Sequence, residues 1–68
     1  MKGAMDIRNA RLHKNLTQGD MCDLLDVALR QYQRLELGER SILSYRFGFA
    51  LRLCQILELD PYDFLPNE

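Results

Sequence analysis

Leu29, Arg30, Gln31 and Arg34 share one side of a segment whose opposite side carries Val27, Tyr32 and Leu35. Arginine has a planar fork that donates two parallel hydrogen bonds, a match for the O6 and N7 of guanine seen from the major groove. Arg30 and Arg34 stand four residues apart. On a helix that is one turn, so both forks face the same way. Leu29 beside them is suited to rest on a thymine methyl group. Exposed arginines on a helix more often serve only solubility. The surrounding residues decide between these readings.

Read with a period of 3.6, the stretch from Leu16 to Arg40 predicts two short helices joined by a tight turn at Asp26. Thr17 caps the first of them, with Met21, Leu24 and Leu25 turned inward and Asp20 and Asp23 in water. Asp26 occupies a turn position that needs positive φ, which Asp tolerates better than most residues. The next helix is expected over about Ala28 to Leu37, with Gly38 as its terminator. Two helices at a steep angle, the second with an arginine-bearing face, are the parts that place side chains in a DNA groove.

These residues carry a resemblance. Thr17-Gln18, Met21-Cys22, Val27, Tyr32, Leu35-Glu36, Gly38 and Arg40 stand in an order similar to the Cro/repressor-type (XRE-like) helix-turn-helix family. Ile7 to Lys14 looks like that family's first helix, and Leu57 to Leu65 like its closing turn and last helix. The resemblance implies a lambda-repressor-like DNA-binding domain with Leu29, Arg30 and Arg34 at base edges, and Gln31, on the same projecting side, is expected to join them. It implies a phosphate contact from Gln18; Ala28 at the start of the next helix, and the cations Arg40, Lys14 and Arg46, are further expected DNA-backbone positions. Many relatives have Ser or Thr where Ala28 stands and Gly where Asp26 stands, so one cap bond is missing here. In some members the residues matching Arg11 and Glu36 form a buried ion pair, which would make Arg11 architectural.

The flanks fit an all-α domain of five short helices, with no segment alternating at period two. A first helix is expected over Asp6 to Lys14, with Asp6 capping, Ile7, Ala10 and Arg11 on one face, and Asn15 as a positive-φ terminus. Residues 1–5 read as a loose tail. Glu39 to Leu43 reads as a loop. The fourth helix is expected from Ser44 to Leu57 with Phe47, Ala50, Leu51, Cys54 and Leu57 as its inner stripe. Asp60-Pro61 announces a short fifth helix ending near Leu65. Phe47 and Phe64 are expected in the core. Ile42, Leu43, Tyr45, Phe49, Leu59 and Tyr62 cannot all fit inside so small a domain. An apolar surface including Leu43, Tyr45, Phe49, Leu59 and Tyr62 therefore reads as a subunit interface. Two copies joined there would set two recognition helices one DNA turn apart, on a palindrome.

Length and composition bound the rest. At 68 residues, 47% hydrophobic and 28% charged, the chain is a single globular domain with a marginal core. No apolar run is long enough to span a membrane and the first residues are too short for a secretory signal, so a cytoplasmic protein is expected. By resemblance it is prokaryotic or phage-encoded and associated with the nucleoid. Cys22 and Cys54 read as small buried hydrophobes, and with the single His13 they make no standard metal site. No cofactor is expected.

The net charge of −1 is low for a nucleic-acid binder, but its distribution is uneven. Residues 1–16 and 29–46 carry +3 and +2; residues 17–28 and 47–68 carry −3 each. One basic side on an otherwise acidic protein limits non-specific binding. No nucleophile–base set, paired carboxylates or phosphate loop is present, so an enzyme is not expected. The leading reading is a dimeric, sequence-specific regulator of transcription that represses by occupancy and is controlled by its concentration or by a partner. The alternative is a protein-interaction module on the same fold, binding a toxin or a polymerase subunit.

Overall fold

The computed structural model describes residues 2–66. Four α-helices occur among them: α1 (Ala4–His13), α2 (Gln18–Leu25), α3 (Leu29–Glu36) and α4 (Phe47–Leu57). Two 3-10 turns, Ile42–Ser44 and Pro61–Phe64, complete the order, and no strand occurs among the described residues. The fifth helix is thus one of those turns. Four residues closed off by Pro66 make a single tight turn, the usual length of 3-10 structure.

Local chemistry sets the boundaries. The Thr17 hydroxyl accepts the Asp20 amide at 3.0 Å, and the Asp20 carboxylate accepts the Thr17 amide at 2.9 Å, a reciprocal cap that starts α2. Asp26 ends it at φ 53°, ψ 54°, the left-handed conformation expected there. Gly38 at φ 77° ends α3, with the Gly38 amide on the Leu35 carbonyl and the Glu39 amide on that of Arg34. Asn15 has φ 58°, as expected. Helix α1 starts two residues before the expected position, because Asp6 acts from its first turn: its carboxylate accepts the Gly3 amide at 2.8 Å. The supposed tail is correspondingly ordered from residue 2, where the Lys2 amide donates to the Asp63 carbonyl at 2.7 Å. Met1 lies outside the described residues.

The core joins every element. Ile7 from α1, Met21 and Leu25 from α2, and Tyr32 and Leu35 from α3 meet Leu53, Cys54 and Leu57 of α4. Ile42 and Phe64 close it from the two 3-10 turns. Three expectations fail. Phe47 is 77% exposed and Leu51 is exposed, whereas Leu53, absent from the expected stripe, is fully buried. Helix α4 is apolar almost all round, so its sequence leaves the phase open. Leu24 is also exposed, since Met21 and Leu25, one turn apart, centre the inner face of α2. Cys54 is buried, Cys22 half-buried, and both are free thiols.

The contrast is testable. At concentrations where the chain is monomeric, Leu53→Ala is expected to destabilise by about 2–5 kcal/mol, and Phe47→Ala by no more than about 0.5 kcal/mol. Urea unfolding of the two variants checks the order.

Candidate nucleic-acid interface

Arg11 of α1 and Glu36 of α3 are both buried, and they face each other fork to fork. Arg11 Nε donates to Glu36 Oε2 at 2.7 Å and Nη2 to Oε1 at 3.1 Å. The third arm, Nη1, donates to the Leu16 carbonyl at 2.8 Å. One guanidinium therefore ties α1, the α1–α2 link and the end of α3. Glu36 Oε1 also accepts Gln18 Nε2 at 3.3 Å, and Gln18 Oε1 accepts Gln33 Nε2 at 3.2 Å, which adds the start of α2. Gln33 is a member of this network that sequence reasoning missed; its partner only becomes visible once α2 and α3 are packed.

The electrostatics follow from burial and pairing. The hydrogen bond to Glu36 raises the Arg11 pKa against the opposing effect of burial. Burial is the largest influence on Glu36 and acts to raise its pKa. Together, Arg11, the adjacent Tyr32 hydroxyl and Gln18 outweigh it and hold the carboxyl below its ordinary range. The Tyr32 hydroxyl is enclosed beside the pair without a well-aligned hydrogen bond. Burial first, and then the polar contact with the Glu36 carboxylate and its charge, push that phenol far above its usual pKa.

With Tyr32, Leu35 and Glu36 buried, the outer face of α3 is fixed. Leu29, Arg30, Gln31 and Arg34 are all exposed on it, and neither arginine has a carboxylate partner among the described residues. Ala28 forms the N-cap of α3 with no side-chain acceptor, as its residue type dictates.

The other sequence candidates divide. Arg40 and Arg46 line one shallow groove with Ala28 and Gln31, beside the start of α3. Lys14 lies elsewhere: its ammonium pairs with Glu58 at the end of α4, in a groove with Asn9 and His13. The residues expected at a subunit interface are spread over more than one groove. Leu43 and Tyr62 border an apolar groove of about 220 Å³ together with Phe47, Leu51 and Leu65. Tyr45 and Phe49 are half-buried beside α3, and Leu59 is half-buried near Lys14. The five residues thus line three different grooves.

The buried ion pair lies on one side of α3 and the exposed arginines on the other. A family model described as helix-turn-helix matches residues 7–64, and the chain belongs to that family, in its Cro/repressor (XRE) branch. No curated protein and no solved structure gives a match. The family is one of DNA-binding domains rather than enzymes, and it points to a DNA-binding regulator. Among the described residues no helix is long and apolar enough to cross a membrane, and no cluster has the composition of a metal site.

Glu36→Gln leaves the Arg11 charge buried without a counter-charge and is expected to destabilise by about 3 kcal/mol at neutral pH. The folded carboxyl ionises below its ordinary value of 4.5. Its contribution is therefore complete above that pH and lost as pH falls through the folded value. Thermal unfolding from neutral to acid pH should show the gap between wild type and variant closing on acidification. A constant gap would contradict the ionic account.

Proposed function

We propose that this chain is a sequence-specific, double-stranded DNA-binding regulator of transcription that acts as a dimeric repressor. In this reading α3 enters the major groove, with Arg30 and Arg34 donating to guanine edges and Leu29 and Gln31 completing the readout. The observation that carries the reading is the opposition of two faces on α3. Glu36 is locked inward by Arg11, while both arginines stand outward without a carboxylate partner among the described residues.

Phosphate contacts set the register and supply salt-dependent affinity. Arg40 and Arg46 support this role by their place beside α3, and Gln18 by its place at the start of α2. Repression by occlusion needs only occupancy of an operator, in the cytoplasm and on the nucleoid. Dimerisation falls to the apolar groove of Phe47, Leu51, Tyr62 and Leu65, whose exposed side chains suit a self-complementary contact. Two recognition helices about 34 Å apart would then meet the halves of a palindrome.

The same groove, with the net charge of −1, supports a second reading in which the domain docks on another protein. Titration with mixed-sequence DNA at low salt separates the two: complete absence of binding favours the protein partner.

Sites selected from random duplexes should change when Arg30→Ala or Arg34→Ala is made singly. Each change should weaken the preferred site by about 1–3 kcal/mol and relax preference at one base pair. An unchanged selected site and affinity would reject both as base readers. Tyr62→Glu should give a monomer in sedimentation and lose the preference for palindromic over single half-sites. A variant that still dimerises would move the interface elsewhere.

A further inference from the structure

The Arg40 guanidinium carbon lies 4.3 Å from the centre of the Tyr45 ring, and that ring stacks on Phe49 with centroids 4.8 Å apart and planes 19° from parallel. Arg40 is also held at its edge: Nε donates to the Ser44 hydroxyl at 3.0 Å and Nη2 to the Ser44 carbonyl at 3.1 Å. The Ser44 hydroxyl in turn donates to the Ser41 carbonyl at 2.6 Å. The column is tied to α3 by the Tyr45 hydroxyl, which donates to the Gln31 carbonyl at 2.8 Å. Arg40 thus has a face and two donors engaged, and its Nη1 hydrogens are left for an incoming acceptor.

We infer that Tyr45 is a positioning residue for DNA affinity: its ring, backed by Phe49, holds the Arg40 fork ready for a backbone phosphate beside α3. The inference rests on the DNA-binding reading and deepens it. An unrestrained arginine loses rotamer freedom on binding a phosphate; one already clamped loses less. The Tyr45–Gln31 bond gives the clamp a fixed offset from the base-reading face, since both are referred to α3. Asp26 borders the same groove, but neither Arg40 nor Arg46 pairs with a carboxylate among the described residues. Tyr45 and Phe49 accordingly serve the DNA side of the domain rather than a contact between copies.

The test is binding of a short mixed-sequence duplex across a salt series, for wild type, Arg40→Ala, Tyr45→Leu and the double variant. Arg40→Ala should weaken binding about tenfold at low salt, with the slope of log affinity against log salt reduced by about 0.9. Tyr45→Leu should reproduce most of both losses, and the double variant should lose no more than Arg40→Ala alone. Tyr45→Phe keeps the ring face and should keep the slope. A wild-type slope in Tyr45→Leu, or losses that add in the double variant, would overturn the inference. A change in oligomeric state without a change in slope would overturn it too, returning Tyr45 to a subunit contact. Should Tyr45→Leu not fold, Ser44→Ala on the exposed turn replaces it: its loss must vanish when Arg40 is already absent, or the clamp is wrong. Failure of the wild type to bind any duplex would instead reject the underlying DNA-binding reading.

Discussion

Taking two opposite charges out of water is unfavourable unless their geometry is good and their remaining donors and acceptors are satisfied. Arg11 and Glu36 meet that condition only in one arrangement of α1, the link after it, α2 and α3. A shift of α3 by a fraction of a turn would separate the forks and strand both charges. The pair ties the position of α3 to α1 and to the start of α2, while the apolar burial of so short a chain comes from one small core. Because Glu36 is fixed inward, the outward residues of α3 are fixed as well. The direction of the outer face of α3 is a consequence of a buried carboxylate on its other side.

This constraint changes how the charge of the chain should be counted. The sequence places a basic block in its first 16 residues, yet Arg11 is buried in the pair and Lys14 is engaged by Glu58. Arg30 and Arg34 on α3, and Arg40 and Arg46 in the groove beside it, have no carboxylate partner among the described residues. They divide into two kinds. Arg30 and Arg34 stand on the helix face, where planarity suits base edges. Arg40 is held in a stacked and hydrogen-bonded clamp in the segment after α3. A protein of net charge −1 can bind DNA through such a local cluster while its acidic remainder resists unspecific contact.

The motif was legible in the sequence because its signals are local and independent. Thr17 caps a helix, Asp26 tolerates positive φ, Gly38 ends the next helix, and the Val27–Tyr32–Leu35 spacing marks its inner side. Helix α4 was less legible for a physical reason. With Phe47, Phe49, Leu51, Leu53 and Leu57 on several sides, its periodicity admits more than one phase, and packing against Ile7 and Met21 selects Leu53 over Phe47. Asp6 was assigned the wrong cap position because an aspartate serves equally before a helix or within its first turn. The Gln18–Gln33 bond and the Arg40–Tyr45–Phe49 column had no sequence signal. Both depend on residues brought together only by the turn at Asp26 and the 3-10 turn Ile42–Ser44.

The central claim is that DNA meets the face of α3 opposite the buried carboxylate. Backbone and side-chain NMR shifts recorded during titration with a selected duplex test it most directly. The account requires the largest changes at Leu29, Arg30, Gln31 and Arg34, smaller ones at Arg40 and Arg46, and little at Phe47 or Tyr62 beyond what self-association produces. Changes concentrated along α4 and the Pro61–Phe64 turn, with α3 silent, would contradict it.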